Sequence, residues 1–195
     1  MNYWPWLVGF FSISIAWGQC DSVIALQWQN ELQQFYLGEK SPIPSSEKKE
    51  FSGISFFTYR PELCFTATFQ AKKKQPFVFA TSSGKEKTYQ YIGDLSWHFQ
   101  GEMHQLPLFE GGNQDGKWFF LPFSDLTNGA ETYGGGRYVE LPWKKIKNGQ
   151  NLTLDFNRAY FPYCAYTTGY ACPLVPDISR LNFPVTAGVK WAVSP

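Results

Sequence analysis

The sequence predicts a mainly β protein, a single-domain antiparallel barrel or sandwich with an N-terminal amphipathic helix. Three observations support this fold class. Apolar and polar residues alternate with a period of two in several segments after residue 60, which is typical of half-buried strands. Turn residues separate these segments at the short intervals expected of a barrel or sandwich. Before them, one segment has the apolar spacing of a helix.

Composition limits both the number of domains and the class of function. The chain has 195 residues, with 17 Lys and Arg against 16 Asp and Glu, and with 18 Phe, 11 Tyr and 8 Trp. A chain this aromatic can bury a core, which argues against disorder, and its length suits one β-rich domain over residues 19–195. The balanced charge lacks the basic excess of a nucleic-acid binder, so we expect no nucleic-acid partner.

Residues 1–18 have the features of a secretory signal peptide. They contain no charged side chain, and an apolar run extends from Leu7 to Ala16. That run is too short to span a bilayer, which needs about 20 residues, but it suits the hydrophobic part of a signal. Small residues at Ala16 and Gly18 indicate cleavage before Gln19. We therefore expect an exported protein, periplasmic or secreted, with no stable membrane span after signal removal.

Cys20 leaves open an alternative, a lipoprotein that is acylated on the first cysteine of the mature chain. That route requires a small residue directly before the cysteine, whereas this sequence has Gln19 there. The sequence therefore favours a free exported protein over lipoprotein anchoring through Cys20.

The individual elements follow from local spacing. Ser22 to Leu37 has the period of a helix, and Gly38 follows at the position of a C-cap. The apolar stripe of this helix consists of Ile24, Trp28, Leu32, Phe35 and Tyr36. Strands are expected over residues 62–69, 77–81, 87–92, 95–100, 103–109, 117–121, 137–141, 152–156 and 185–191.

The segment from Leu121 to Leu181 is rich in polar residues, glycines and prolines, so we expect it to hold any functional site. Gly134-Gly135-Gly136 predicts a tight turn rather than a phosphate loop, because no Gly-Lys-Ser/Thr follows it. Arginines in this segment can bind carboxylate or phosphate, and its tyrosines can stack and hydrogen-bond. The candidate ligand-binding residues are Tyr133, Arg137, Tyr138, Asp155, Asn157, Arg158, Tyr160 and Tyr166.

Such a set suits a small anionic or sugar-like ligand in the mouth of a barrel. A structural alternative stays open, in which Asp155 pairs with Arg137 or Arg158 and the tyrosines border the core. The positions of these side chains in the folded protein distinguish a ligand site from a structural role. Convergence of Arg137, Asp155, Asn157 and Tyr160 on an open cavity would favour a site, and a buried ion pair without a cavity would favour the structural role.

The cysteines predict one disulfide and leave a second undecided. Cys164 and Cys172 are eight positions apart in a proline-containing segment, which in an exported protein predicts a disulfide. Cys20 and Cys64 can also pair, although nothing near either residue indicates it. The cysteine spacing differs from that of a zinc ribbon, and the chain has 2 histidines, so we expect no metal site and no cofactor.

Three blocks of the chain carry a family resemblance. The first block is Phe120–Tyr138, and the second comprises Leu154–Tyr160 with Cys-Ala-Tyr at 164–166 and Cys-Pro-Leu at 172–174. The third comprises Arg180-Leu181 and Ala187-Gly188. Together these blocks resemble the family called domain of unknown function 1684, and the third is similar to its C-terminal end. The likeness covers nearly the whole mature chain and implies family membership, but it implies no activity.

This chain departs from the family's pattern at two places. Ile178-Ser179 stands where relatives tend to carry Glu-Asn, so a role for an acid at that position is not carried over. Cys64 stands where relatives usually have another residue.

These features favour an uncharacterised exported protein that binds a small ligand or acts as an accessory protein of the cell envelope, without enzymatic activity. The alternative is an enzyme that uses the Arg/Tyr/Asp cluster of residues 133–172. The sequence has no Gly-x-Ser-x-Gly motif, so it does not favour a hydrolase with a nucleophile elbow.

Overall fold

The computed structural model describes residues 20–113 and 116–192 of the chain. The predicted signal peptide of residues 1–18 lies outside the described residues. The helix and strands follow one another as α1 (Ser22–Leu37), β1 (Ser55–Phe56), β2 (Cys64–Ala80), β3 (Glu86–Phe99), β4 (Glu102–Asn113), β5 (Gly116–Phe123), β6 (Arg137–Pro142), β7 (Asn151–Asp155) and β8 (Val189–Lys190).

The main sheet is antiparallel, with the strand order β6-β5-β4-β3-β2-β7. Its two outer strands approach each other through Tyr160, which follows β7 and exchanges two backbone hydrogen bonds with Tyr138 of β6, at N···O distances of 2.9 and 3.0 Å. The sheet is therefore a nearly closed barrel. The small β1-β8 pair lies outside it. The predicted mainly β fold with one N-terminal helix is confirmed.

Two strands are longer than the sequence predicts because irregularities bend them instead of ending them. The pairing of β2 with β3 shifts between Ala71 and Gln75, and that of β3 with β4 shifts between Tyr91 and Gly93. Gly93 has a φ of +146°, and a Cβ there would lie 2.2 Å from the backbone oxygen of Gln70. Each pair of predicted strands on either side of a shift therefore forms one continuous bulged strand.

The sheet is apolar on both faces. Along β5, Phe119, Leu121 and Phe123 point into the barrel core, whereas Trp118 and Phe120 point outward. The outward residues belong to a second cluster, here called the outer aromatic cluster, whose rings are Phe77, Phe79, Tyr89, Tyr91, Phe109, Trp118, Phe120, Tyr138 and Tyr160. Tyr160 and Val175 of the segment after β7 cover part of this outer cluster, and Trp28 of α1 lies 6.3 Å from Tyr160 between ring centroids.

Helix α1 has the predicted bounds. The Asp21 side chain accepts a hydrogen bond from a first-turn N–H, and the N–H of Gly38 donates to last-turn carbonyls, so both ends are capped. Ile24, which the sequence analysis placed on the apolar stripe, is 53% exposed. The buried residues of the helix are Ala25, Gln29 and Tyr36. None of the helices in the described part of the chain is long and apolar enough to cross a membrane.

Two disulfides constrain the fold, one within a short loop and one between distant parts of the chain. Cys164 pairs with Cys172, as the sequence predicts. Cys20 pairs with Cys64, which connects the residue before the α1 cap to the first residue of β2, with a sequence separation of 44. No cysteine is left free. The helix is thereby attached covalently to the sheet.

Candidate functional site

The structure places the predicted site residues in three environments. One group is buried in polar networks inside the fold: Arg137, Asp155 and Asn157. A second group lines a cavity outside the barrel: Tyr138, Arg158 and Tyr160. A third group packs in an aromatic cluster beneath α1: Tyr133 and Tyr166. Of the four residues whose convergence would favour a site, only Tyr160 lines the cavity. Arg137, Asp155 and Asn157 are buried elsewhere, so these four side chains do not converge.

Arg137 is fully buried and pairs with Asp125, not with Asp155. Its Nη2 donates to the Asp125 carboxylate at 2.8 Å, and the guanidinium also donates to the backbone oxygens of Val185 and Ala187 at 2.6 Å each. Burial lowers the pKa of Arg137 from its ordinary value, and Asp125 acts against this shift. These contacts tie β6 to the C-terminal segment, and they direct the guanidinium to backbone oxygens.

Asn157 connects three segments of the chain. Its side chain accepts a hydrogen bond from the N–H of Arg60 and donates to the Arg60 carbonyl, both at 2.8 Å. Its backbone oxygen accepts from the Gln29 side chain of α1 at 2.9 Å. Asp155 accepts from the Asn157 N–H at 3.0 Å, and burial raises the pKa of the Asp155 carboxyl. Asp155 and Asn157 thus join α1, the segment before β2 and the end of β7.

Tyr133 and Tyr166 belong to an aromatic cluster that supports α1 from below. Tyr166 packs edge-on against Tyr36 of the helix at 4.9 Å between ring centroids, and Tyr133 lies 6.3 Å from Phe161. The hydroxyls of Tyr36 and Tyr166 are buried without a hydrogen-bond partner in the described structure. Tyr36 also lines the cavity, so one of these unpartnered hydroxyls belongs to a cavity residue.

The cavity has a volume of about 840 Å³ and three walls. The first wall is α1, through Trp28, Leu32, Phe35 and Tyr36. The second is the outward face of β5 and β6, through Trp118, Phe120, Tyr138 and Glu140. The third is the segment after β7, through Arg158, Tyr160, Pro162, Tyr163, Tyr170 and Pro173. Residues far apart in the sequence are thus brought to one concave, mainly aromatic surface.

Arg158 presents a cation to this cavity. Its guanidinium lies over the ring of Trp28, at 5.7 Å from the ring centroid. Its Nε is buried with no hydrogen-bond partner, and none of the ion pairs within the described residues includes it. Asp125 and backbone oxygens occupy the terminal nitrogens of Arg137, whereas no ion pair within the described residues occupies those of Arg158.

Glu140 presents a carboxylate to the same cavity. It accepts a hydrogen bond from the Tyr160 hydroxyl at 2.8 Å. Glu140 is the exposed residue in the middle of β6, and its side chain opens into the cavity, where protein surrounds it while solvent still reaches it. Burial raises the pKa of the Glu140 carboxyl, although the Tyr160 hydrogen bond acts in the opposite direction. Burial and the nearby Glu140 raise the pKa of Tyr160 well above its ordinary value.

The third wall is held in place by local constraints. The Cys164–Cys172 disulfide closes the loop that carries Tyr170, and Tyr163 packs edge-on against Tyr170 at 5.1 Å. The hydroxyl of Tyr138 donates to the backbone oxygen of Pro173. A disulfide across so short a loop stabilises by roughly 2.5 kcal/mol in the chain-entropy model. The wall is therefore fixed to β6 before any ligand binds.

Sequence reasoning missed two residues that complete the cavity. Glu140 lies two positions after Tyr138 on the same strand, and this spacing places both side chains on one face. That spacing was a usable signal. Trp28 was assigned to the core-facing stripe of α1, but it meets Arg158 instead. No local pattern could have shown that contact, because it joins the N-terminal helix to a segment after β7.

Within residues 20–113 and 116–192, no group of three or more His, Cys, Asp or Glu side chains is placed to hold a metal ion. His104 approaches the backbone oxygen of Phe99 at 3.3 Å and packs against the ring of Phe183 at 4.8 Å between centroids.

Comparisons with known proteins identify the family but no activity. No curated protein matches the chain significantly. The chain is similar to an uncharacterized protein of Haloarcula marismortui solved by solution NMR, with 34% sequence identity, a TM-score of 0.70, and coverage of 87% of this chain and 93% of that chain. The family model described as "Protein of unknown function (DUF1684)" matches residues 49–190. The chain therefore belongs to that family, as its sequence motifs indicated.

Proposed function

We propose that the chain is an exported protein of the cell envelope that binds a small ligand, with an anionic or sugar-like group, in the cavity between α1, β5–β6 and the segment after β7. The observation that carries this proposal is Arg158, a cation on the wall of an aromatic cavity that no ion pair within the described residues neutralises. A volume of about 840 Å³ lies within the range of small-molecule sites.

Arg158 suits the anionic part of such a ligand. A guanidinium binds carboxylate or phosphate through two parallel hydrogen bonds, and stacking on Trp28 holds the group in one orientation. The remaining walls suit the body of the ligand. Aromatic rings pack against the apolar faces of a sugar or another ring, while Glu140 and the tyrosine hydroxyls can hydrogen-bond to hydroxyl groups.

An enzymatic role has one specific observation in its favour. Glu140 and Tyr160 form a hydrogen-bonded pair in the cavity, and the pKa of each is raised, as is common at catalytic sites. However, Glu140 supplies the one carboxylate among the described lining residues, whereas most glycoside hydrolases need a pair. Ligand binding requires only the groups that are present, so it remains the favoured function.

Export is supported by the cysteines as well as by the apolar run of residues 7–16. All four cysteines form disulfides, and disulfides persist mainly in oxidising compartments. The pairing of Cys20 with Cys64 also bears on the lipoprotein alternative, because a sulfur in a disulfide cannot carry a thioether-linked lipid. The free exported form is therefore the one that we propose.

Ligand binding can be tested with glucuronate, and glucose serves as the neutral counterpart. Trp28 and Trp118 line the cavity, so occupancy should change their fluorescence. We expect a saturable change with glucuronate, and we expect Arg158→Gln to weaken it about tenfold or more, since a charged hydrogen-bond donor is lost. The matched control is Arg60→Gln, because the Arg60 side chain is 51% exposed on the surface.

Each outcome decides the proposal. A response that depends on Arg158 and not on Arg60 supports it. Absence of any saturable response to glucuronate, or a response that Arg158→Gln leaves unchanged, would overturn it. Thermal unfolding of both variants verifies that each one is folded.

A further inference from the structure

The carboxylate of Glu140 is surrounded by aromatic rings. Glu140 lies directly across from Phe120 in the β5–β6 pairing, and Tyr138 precedes it by two residues on the same face of β6. Tyr160 covers it from the third wall and donates its hydroxyl at 2.8 Å. The charge of Glu140 contributes to raising the pKa values of the tyrosines around it, which are Tyr89, Tyr138, Tyr160 and Tyr163.

The rings around this carboxylate are held against each other. Phe120 and Tyr138 meet edge-on at 4.8 Å between centroids, and Tyr138 and Tyr160 meet edge-on at 5.8 Å. Tyr89 stacks on Phe120 at 4.9 Å. Mutual packing fixes these rings, so their arrangement around the Glu140 carboxylate exists before any ligand arrives.

Within the described residues, no cationic side chain forms an ion pair with Glu140. The cationic residues that line the cavity are Arg158, Lys87 and Lys117. Arg158 lies over Trp28, and Lys117 pairs with Glu110 at 3.3 Å. None of the ion pairs within residues 20–113 and 116–192 involves Lys87 or Glu140. The charge of the Glu140 carboxylate is therefore free to attract a cationic group that enters the cavity.

We propose that Glu140 and the rings of Phe120, Tyr138 and Tyr160 form a subsite for an ammonium group, so that the ligand carries a cationic amine as well as an anionic group. Aromatic faces attract ammonium ions through their π electrons, and the carboxylate supplies the opposite charge. A neutral hydroxyl would satisfy a lone pair of the carboxylate but would leave its charge uncompensated. This inference rests on the proposed function, because it assigns a second group of the same ligand to the same cavity.

Tetramethylammonium tests the subsite on its own, and 2,2-dimethylpropanol, which has a similar shape but no charge, is its control ligand. Binding is followed by chemical-shift changes of the cavity tryptophan and tyrosine rings in NMR titrations. Glu140→Gln keeps the size and the hydrogen-bond acceptor while it removes the charge. Glu62→Gln makes the same change at a surface carboxylate that is paired with Arg60.

We expect the wild type to bind tetramethylammonium in preference to the alcohol, and we expect Glu140→Gln to weaken this binding about tenfold. Glu62→Gln should leave it unchanged. No saturable response in the wild type, equal binding of the alcohol, or undiminished binding by Glu140→Gln would each overturn the subsite. If glucuronate still binds through Arg158 in that case, the amine subsite alone fails. If glucuronate fails as well, the proposed function fails with it.

Discussion

Arg137 and Arg158 carry the same guanidinium group in two different environments. Arg137 is fully buried, and Asp125 and backbone oxygens occupy its terminal nitrogens. Arg158 rests on the Trp28 ring, and none of the ion pairs within the described residues includes it. The Nε of each arginine is buried without a partner, so the two side chains differ at their terminal nitrogens. Removal of a buried, paired guanidinium leaves its partner charge uncompensated, whereas an unpaired guanidinium at the wall of a cavity can bind a ligand. We therefore expect substitutions at the two positions to affect different measurements.

Arg137→Met should destabilise the protein by about 3–5 kcal/mol, because it leaves Asp125 as an uncompensated buried charge. The free energy of unfolding in urea measures this effect. Arg158→Met is the matched control, and it should cost less than about 1 kcal/mol because no ion pair is lost. The double variant Arg137→Met/Asp125→Asn should recover part of the loss. Similar losses for the two single variants would contradict the assignment.

Glu140 should make stability fall as pH rises. Its pKa is higher in the folded protein than in the unfolded chain because of burial, so the folded state binds more protons between the two values. Stability is then fully present below the unfolded pKa and decreases as pH rises through the folded pKa. The titratable groups that line the cavity together with Glu140 are Tyr36, Lys87, Tyr89, Lys117, Tyr138, Arg158, Tyr160, Tyr163 and Tyr170.

The measurement is urea unfolding of the wild type and of Glu140→Gln between pH 4 and pH 7. Relative to the wild type, Glu140→Gln should gain stability as pH rises, since it removes a carboxyl group that ionises unfavourably. A difference between the two proteins that stays constant with pH would contradict this expectation. Asp155, whose pKa is also raised by burial, is present in both proteins and cancels in the comparison.

The segment that the sequence singled out supplies part of the cavity wall, but the sequence could not sort the residues of that segment or identify the walls outside it. Arg137 and Tyr138 are neighbours in a strand, so their side chains point to opposite faces. The period-two rule already implied that both could not reach one cavity. The partner of Arg137 was not predictable in the same way, since Asp125 approaches it only when the loop before β6 folds back. Side-chain convergence depends on tertiary contacts that no local pattern records.

Helix α1 is attached to the sheet at a few identifiable points. The Cys20–Cys64 disulfide fixes its start, and the Gln29 side chain donates to the backbone oxygen of Asn157 in its middle. Near its end, Gln33 accepts a hydrogen bond from the Ile54 N–H at 2.6 Å. The helix also forms one cavity wall. Stability and binding should therefore both depend on this attachment.

The two disulfides should contribute unequally to stability. In the chain-entropy model the contribution grows with loop length, which gives about 4 kcal/mol for the separation of 44 between Cys20 and Cys64 and about 2.5 kcal/mol for the separation of 8 between Cys164 and Cys172. The paired variants Cys20→Ser/Cys64→Ser and Cys164→Ser/Cys172→Ser test this by urea unfolding. A larger loss from the second pair would contradict the model.

The helix and the short-range disulfide were predictable because the sequence features that indicate them are local. The helix bounds and the Cys164–Cys172 pairing follow from spacing alone, and both are confirmed. Strand lengths were less predictable, because β2 and β3 continue through bulges whose cause is contact between strands. The expected strand over residues 185–191 shortens to Val189–Lys190, since the carbonyls of Val185 and Ala187 bond to the Arg137 side chain.

The whole molecule is a nearly closed barrel that is apolar inside and aromatic on part of its outside. This explains a composition in which 19% of the residues are aromatic and only 17% are charged. One set of rings fills the core, and the other lies on the outside of the sheet, where the segment after β7 packs against it and α1 faces it across the cavity. The disulfides that hold these two elements are therefore tied to the proposed function as well as to stability.

Export of the full-length chain from its own N-terminal segment can be checked by intact mass under non-reducing conditions. We expect a chain that begins at Gln19, because small residues precede it at positions 16 and 18. Its mass should be lower than that of the fully reduced chain by four hydrogens, two for each disulfide. Reduction should restore those hydrogens. Retention of residues 1–18, free thiols, or a mass increase that matches an acyl-glyceryl group on Cys20 would each contradict the proposal of a free exported protein.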